Sequence, residues 1–259
     1  MFSVYTQFYN VEKFNIDFKS AITNFCEFLT KDDEVVITVN TSEDNTLNKI
    51  ITFVASLPAR YPNVEIVPCD FSYNDIEFDG KVKNHALQAT HNSIKIQMDG
   101  DERFDLNQKD QWRKAGKSLE MNKEYISGWM MNSLDLWGSL KHARKNQPIG
   151  VKFRMHIGGI QRGVQRTAWS EDGKSFDTSK SDSTEPIDKN GDLIQNFAHF
   201  PDLYTLHLGY VDYSYREEID KFWNPHWTLR SGNEKKEDAV TKESLAKVEI
   251  CEHNLHFKI

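Results

Sequence analysis

The sequence predicts an α/β fold with a mostly parallel sheet and flanking helices, and three observations lead to that prediction. Strand-like and helical segments alternate over the first hundred residues. Some of the strand-like segments are continuous apolar runs such as 35–37, which suit strands covered on both faces. Polar residues follow the ends of these runs, where an α/β sheet binds its ligands. Alternation of this kind implies parallel strands joined by right-handed crossovers.

Each element of the first half has its own signal. The predicted strands are Phe2–Phe8, Glu34–Val39, Val64–Val67 and the run that starts at Ile94. The helices between them carry apolar residues at helical spacing. The first helix starts after a cap at Asn15 or Asp17, the second after the polar loop Asn40–Thr46, and the third spans Gly80–Thr90.

The second half of the sequence predicts further helices, strands and loops that elaborate the fold. A helix is expected over 107–119, and the aromatic and methionine-rich stretch 125–137 is expected to be core. Strand 149–157 would place Lys152, Arg154 and His156 on one face, either as a solvated face or as a basic rim that meets phosphate or an anionic acceptor. Residues 170–192 favour a loop or hairpin, and 203–211 a further strand.

Composition narrows the function classes. The chain has 259 residues, with 38% hydrophobic and 27% charged residues, which is typical of a globular protein. The net charge of -7 argues against a general nucleic-acid binder, whose footprint would be basic. Three distant cysteines and the lack of a signal peptide or of a long apolar stretch favour a cytoplasmic protein without a transmembrane segment.

The segment Ile94–Phe104 carries the strongest chemical signal. Alternating apolar residues end abruptly in Asp99, Gly100, Asp101 and Glu102. An Asp-x-Asp at the carboxyl end of a strand can place two carboxylates where one divalent cation bridges to a diphosphate. The alternative is structural, since acidic residues after a strand also cap helices or fill turns.

These segments resemble the donor-binding half of GT-A glycosyltransferases, most closely the family 2-like group. The loop Val39–Thr46, the helix Gly80–Thr90 and the strand with Asp-Gly-Asp match the family's motifs in order and spacing over about the first 105 residues. The resemblance implies a GT-A-like, Rossmann-like sheet. It divides the chain into a donor half (1–105), an acceptor half of the same domain (106–230) and a charged C-terminal segment (231–259).

The resemblance also implies roles for single residues. Thr6 would lie beside the base, Asn40 and Glu43 near the nucleoside, and Lys81 near the phosphates, while Asp70 could face the same cleft. The alternatives are strand-end hydrogen bonding for Thr6 and Asn40, a solvated charge for Lys81 and a turn role for Asp70. The family usually has Asp where this chain has Asn40 and Thr41, which leaves the nucleotide open.

The metal and the proton transfer imply further candidates. Asp99 and Asp101 would bind Mn²⁺ or Mg²⁺, with Asp99 also counted in the donor site, and His207 resembles the late histidine that completes the metal shell in many GT-A enzymes. A general base for the acceptor hydroxyl is expected at Asp172, with Glu171 and Asp135 as further candidates. Trp129 and Trp137 are candidates for stacking on an acceptor ring.

The sequence therefore predicts a metal-dependent hexosyl- or pentosyltransferase. Its donor would be a nucleoside-diphosphate sugar of the UDP or GDP type, and its acceptor a hydroxyl of a saccharide or glycoconjugate. One rival is a nucleotidyltransferase, although the loop after the first strand lacks the glycine-rich basic sequence that it would need. The other is a non-catalytic carbohydrate-binding or scaffold protein on the same fold, which Asn40 and Thr41 favour.

Overall fold

A computed structural model of the chain describes residues 1–72, 75, 78–144, 150–157, 161–164, 184–187, 194, 196–211 and 250–252. The helices are α1 (Phe18–Phe28), α2 (Thr46–Ala55), α3 (Phe78–Gln88) and α4 (Lys109–Met121), with a short 3-10 helix at Leu106–Gln108. The strands are β1 (Phe2–Phe8), β2 (Glu34–Asn40), β3 (Asn63–Cys69), β4 (Ile94–Gln97), β5 (Glu102–Phe104), β6 (Gly128–Trp137), β7 (His142–Arg144), β8 (Gly150–Ile157), β9 (Gln161–Val164), β10 (Thr184–Ile187), β11 (Phe197–Tyr210) and β12 (Ile250–Glu252).

The central strands confirm the predicted α/β class. Strand β1 lies between β2 and β4 and is parallel to both, and β3 extends the parallel set beyond β2. Within the described chain the main sheet runs in the order β12-β7-β6-β8-β4-β1-β2-β3, with β5 and β11 joined to it beside β6. The helices α1 to α3 connect the parallel strands, as the alternation predicts.

The second half completes the same sheet. Strand β8 is antiparallel to both β4 and β6, and β11 is parallel to β6 and antiparallel to β5. The late strand β12 pairs with β7, a contact that the sequence analysis did not predict for the charged C-terminal segment. At 13 residues, α4 is the longest described helix, and it lacks the length and apolarity needed to cross a bilayer.

One face of the sheet carries the main core. Val4 and Phe8 of β1 and Ile37 of β2 are buried there against α1 and α4. The rings of Phe28 and Phe104 stack 3.8 Å apart, and Trp112 meets Phe104 edge to face at 5.0 Å. This aromatic packing fixes α1 and α4 behind the strand ends, because large buried rings contribute most of a core's contact area.

The opposite face has a smaller apolar core and becomes polar toward the carboxyl ends of the strands. Tyr5 and Val36 pack there against Ala86 of α3. Side chains alternate along a strand, so Gln7 projects to the same face as Tyr5. Gln97 is paired with Tyr5 across β4 and β1 and lies on that face as well. The polar end of this face leads directly to Asp99.

Candidate active site

The turn Asp99–Glu102 is closed by hydrogen bonds between its first and last residues. The Glu102 backbone N–H donates to the Asp99 carbonyl at 3.0 Å. In return the Asp99 N–H donates to Glu102 Oε2 at 3.1 Å. The turn that presents the two aspartates is therefore held by the chain itself.

The middle of the turn has equally close neighbours. Arg103 Nη1 donates to the Gly100 carbonyl at 3.1 Å, and the Leu208 N–H donates to the Asp101 carbonyl at 2.8 Å. A Cβ on Gly100 would lie 2.7 Å from the ring of Phe8, which is too close for a real contact. Glycine is thus required here by the close approach of the turn to β1.

Asp99 lies among hydrogen-bond donors. Its Oδ1 accepts from Gln97 Nε2 at 2.8 Å and from Gln7 Nε2 at 3.2 Å, with Lys83 Nζ at 3.4 Å. Its Oδ2 accepts from Arg154 Nη2 at 3.1 Å. Both carboxylate oxygens are therefore bound by side chains of this protein.

Charge compensation keeps Asp99 ionised. Burial favours the neutral acid and works to raise the pKa of Asp99, but Lys83, Arg154 and Lys152 together outweigh it, so that its pKa stays well below the usual range. Lys83 is itself buried and also pairs with Asp79 one turn earlier on α3 at 2.8 Å. The helix thus delivers a compensating charge to the strand end.

Glu102 is a second buried carboxylate in the same cluster. Its side chain is fully buried and pairs with Arg154, also fully buried, and with Lys152 Nζ at 2.9 Å. The third basic residue of β8, His156, is buried too and lies 3.0 Å from the hydroxyl of Tyr5. A solvated basic face is therefore wrong for Arg154 and His156, because β8 lies inside the sheet and both side chains are buried. Of the two, Arg154 reaches the acidic turn.

A different arrangement surrounds Asp101. His207 Nε2 lies 3.1 Å from Asp101 Oδ2, and His207 Nδ1 lies 2.8 Å from Asp135 Oδ1. The strands explain this meeting, since His207 on β11 is opposite Glu102 on β5 and opposite Asp135 on β6. The Asp101 side chain is 41% exposed, so this group opens to solvent.

The two carboxylates change the protonation of the imidazole. Burial alone would lower the pKa of His207, but Asp101 and Asp135 oppose it and raise its pKa to about 9. For Asp101, burial favours the neutral acid, yet the attraction of His207 holds the pKa below its ordinary value. Both carboxylates therefore favour the protonated form of the His207 imidazole.

The pair Asp101 and His207 fits a divalent cation. Two ligand atoms bound at right angles about 2.1 Å from one ion are about 3.0 Å apart, close to the observed 3.1 Å. The hydrogen bond to Asp135 would fix the imidazole tautomer, as carboxylate partners of metal-bound histidines do. The described part of the chain forms no group of three or more His, Cys, Asp or Glu residues that could hold a metal, so the described residues would supply two ligands there.

Asp99 is not part of this pair in the structure. Its oxygens are already taken by Arg154 and the glutamine amides, whereas the oxygen of Asp101 faces a histidine nitrogen. The structure brings together Asp101, His207 and Asp135. It places Asp99 in the neighbouring cationic cluster, which consists of Lys83, Lys152 and Arg154.

The predicted base contact, Thr6, lies in the core. Its side chain is fully buried on the face of β1 that carries Val4 and Phe8. The next residue, Gln7, is the one that reaches Asp99. Consecutive residues of a strand project to opposite faces of the sheet, so Gln7 faces the site while Thr6 faces the core.

The predicted nucleoside contact, Asn40, binds the loop after β3. Its Oδ1 accepts from the Phe71 N–H at 2.8 Å, and its Nδ2 donates to the Phe71 carbonyl at 3.0 Å. Both ends of the Asn40 amide therefore bind the backbone of Phe71, which agrees with the alternative of strand-end hydrogen bonding. Asp70 precedes Phe71 and is exposed.

The remaining predicted donor residues lie in ion pairs. Glu43 pairs with Lys13 at 2.7 Å on the surface, and Lys81 pairs with Asp75. The neighbouring Asp44 accepts from the backbone N–H groups of residues 12 and 13, at 2.9 Å and 3.1 Å. The polar loop after β2 thus ties down the loop after β1.

The two tryptophans have packing roles. Trp129 donates from Nε1 to the Ala115 carbonyl at 3.0 Å and meets Phe200 edge to face at 5.3 Å. Trp137 is buried at the end of β6. Their rings contribute to the core, as predicted for the stretch that contains them, whereas Tyr125 at its start is 76% exposed and not part of the core.

Glu171 and Asp172, the first candidates for the general base, lie outside the described residues. The sequence analysis missed Gln7, Lys83 and Glu102 as members of the site. Lys83 had a signal, since α3 buries Val82 and Ala86 and a lysine between them at helical spacing must point inward too.

The sequence comparisons give no relative. No family model matches the chain. A search of curated proteins also finds no match.

The structural comparisons find similar folds. S. aureus TarS 1–349 is 13% identical over 92% of this chain and 67% of that chain, with a TM-score of 0.47. The mannosyltransferase PcManGT from Pyrobaculum calidifontis, solved with GDP-Man and Mn²⁺, is 14% identical over 95% and 68%, with a TM-score of 0.49. Mouse xyloside xylosyltransferase 1 is 11% identical over 60% and 66%, with a TM-score of 0.33.

Two of these proteins are named a mannosyltransferase and a xylosyltransferase. The present chain spans 41% of the longer TarS chain in another structure. At these identities and TM-scores, the likeness carries no argument about the donor, the metal or the reaction of this chain.

Proposed function

We propose that this chain is a metal-dependent glycosyltransferase that moves a hexosyl or pentosyl group from a nucleoside-diphosphate sugar to a hydroxyl of a saccharide or glycoconjugate. The observation that carries the proposal is the group Asp101, His207 and Asp135 at the carboxyl edge of a mostly parallel sheet. That edge is where open α/β sheets bind nucleotides. Carboxylate and imidazole are suitable ligands for Mn²⁺ or Mg²⁺, with oxygen ligands better for Mg²⁺.

The chain's own residues would divide the work. Asp101 and His207 would hold the cation, which supplies positive charge against the departing diphosphate. Two protein ligands suffice where substrate phosphates and water complete the shell. Asp135 is bound to His207 in the structure, so we assign it to orienting the imidazole and keep Asp172 and Glu171 as the candidates for the general base.

Calorimetric binding of UDP and GDP, with and without Mn²⁺, tests the proposal. We expect metal-dependent binding of one nucleotide to the wild type and its loss in Asp101→Ala, because that variant removes a metal ligand. Asp32→Asn is the matched control, since Asp32 is exposed and precedes β2 at the opposite edge of the sheet. It should bind like the wild type.

The contrary result has a definite meaning. If neither nucleotide binds with Mn²⁺, the donor site fails for UDP and GDP. Other donors are then the next to test, and the scaffold or carbohydrate-binding function becomes the one to pursue. Where a nucleotide does bind, hydrolysis of the matching sugar nucleotide without acceptor separates an active transferase from a binding protein.

A further inference from the structure

Glu102 has no assigned role in the proposed reaction, yet it is the most enclosed acidic side chain of the site. It is 0% exposed, and its two carboxylate oxygens have separate partners. Oε2 accepts from the Asp99 N–H at 3.1 Å, and Oε1 accepts from Lys152 at 2.9 Å and from Arg154. One side chain thus joins the backbone of the acidic turn to two cations on β8.

A buried carboxylate is retained at a cost in solvation that its partners must offset. Arg154 and Lys152 supply the opposite charge, and Arg154 also reaches Asp99 at 3.1 Å. An amide at position 102 could still accept the hydrogen bond from Asp99 but would attract neither cation as strongly. The charge of Glu102 therefore reinforces the contact between the turn and β8 that Asp99 also makes through Arg154.

The same segment sets the distance between the two candidate metal ligands. Glu102 begins β5, and its partner on β11 is His207. The residue after His207 donates its N–H to the Asp101 carbonyl at 2.8 Å. Asp101 and His207 are thus fixed to each other through the backbone on either side of Glu102.

We propose that Glu102 is a positioning residue for the two candidate metal ligands, Asp101 and His207, which we call the metal pair. By closing the Asp99–Glu102 turn and tying it to Arg154 and Lys152, Glu102 holds Asp101 Oδ2 within reach of His207 Nε2. This inference rests on the proposed function, because it assumes that Asp101 and His207 bind the cation. Glu102 itself does not touch the cation or the substrate.

Mn²⁺ binding without nucleotide, followed by the electron paramagnetic resonance of free Mn²⁺, tests the inference. We expect Glu102→Gln to weaken Mn²⁺ binding about 10-fold, the lower end of the effect of losing a group that is bonded directly to a metal ligand, because Glu102 acts on Asp101 through the turn. Circular dichroism and urea unfolding in the absence of Mn²⁺ show whether the variant is folded. A purely structural role would lower the unfolding midpoint and leave the affinity of the folded protein unchanged.

Two further variants complete the test. Glu124→Gln is the control for the change in charge, since Glu124 is exposed, and it should bind Mn²⁺ like the wild type. If Glu102→Gln does not fold, Glu102→Asp keeps the charge for Arg154 but moves the carboxylate away from the Asp99 N–H. We expect this variant to fold and to lose Mn²⁺ affinity as well.

The outcomes separate this inference from the proposed function. A wild type that binds Mn²⁺ neither alone nor together with UDP or GDP overturns both. A wild type that binds, with a folded Glu102→Gln variant that binds within about twofold of it, overturns the role of Glu102 alone. Failure of both Glu102 variants to fold also overturns it, because Glu102 would then serve the fold instead of the metal pair.

Discussion

Two carboxylates separated by a single residue, Gly100, have different partners in this protein. Asp99 lies on one side of Gly100 with both oxygens bound by glutamine amides and by Arg154. Asp101 lies on the other side, is more exposed, and faces His207. Asp99 is thus part of an ion cluster formed by side chains of the protein, and Asp101 belongs to the group to which we assign the cation.

The difference shows what an Asp-x-Asp motif can and cannot imply. The sequence spacing treats the two aspartates as equivalent ligands, but the neighbouring strands give them opposite partners. Strand β8 brings the cations Lys152 and Arg154 to Asp99, whereas β11 brings an imidazole to Asp101. The comparison between the cationic cluster and the metal pair therefore predicts that mutations on the two sides affect different properties.

The largest expected effect is on stability, from Arg154→Met. This change removes a buried cation and leaves the buried Glu102 with one partner of the two that the structure gives it on β8. Breaking a buried ion pair from one side typically costs about 3–5 kcal/mol. Urea unfolding of the metal-free protein measures the loss in the free energy of unfolding.

The double variant Arg154→Met with Glu102→Gln is the control. It removes both charges of the pair, so it should recover part of the lost stability. A loss below about 1 kcal/mol for Arg154→Met, within the range of exposed ion pairs, would show that the cluster does not support the fold. The surroundings of Asp99 would then not differ from those of Asp101 by a role in stability.

Much of the fold follows from local patterns. The buried run Val35–Ile37 and the alternation at Ile94 and Ile96 locate two central strands, and the structure places them as predicted. Asp17 also caps α1 as expected, by accepting from the Ser20 N–H at 3.0 Å. These features depend on neighbouring residues, which a sequence displays directly.

The site depends on contacts that a sequence does not display. Asp101 and His207 are 106 positions apart, and the expectation of a common site came from the resemblance to GT-A glycosyltransferases and not from any local pattern. Arg154 reaches Asp99 only because β8 lies antiparallel beside β4, and no local pattern near residue 154 indicates that neighbour. Likewise, Thr6 and Gln7 are both polar at a strand end, and only the orientation of β1 decides which one faces the site.

An intermediate effect is expected on the other side of Gly100, from Asp135→Asn. The amide would keep the size of the side chain but lose the charge that orients and polarises His207. Loss of such a partner typically lowers metal affinity about 10–100-fold, and the conservative amide should fall near the lower end. Titration with Mn²⁺ measures the affinity, with Asp32→Asn as the control.

The stability of Asp135→Asn carries the second half of this test. Asp135 is about one-third exposed, so the unfolding free energy should change by less than about 1 kcal/mol. Should Asp135→Asn bind Mn²⁺ as well as the control does, His207 would not depend on Asp135, and the residue would return to the candidates for the general base.

The smallest expected effect is from Lys152→Met, which tests whether position or charge decides the role of a cation in the cluster. Lys152 pairs with the same carboxylate as Arg154, but its side chain is 37% exposed, against 2% for Arg154. A partly solvated ion pair contributes about 0–1 kcal/mol, so the unfolding free energy should fall by no more than about 1 kcal/mol. A loss as large as that of Arg154→Met would mean that the number of charges around Glu102 matters more than their burial. If stability is kept but Mn²⁺-dependent binding of UDP or GDP weakens, Lys152 contributes to the metal pair as well as to the cationic cluster. The separation between the surroundings of Asp99 and those of Asp101 would then be incomplete.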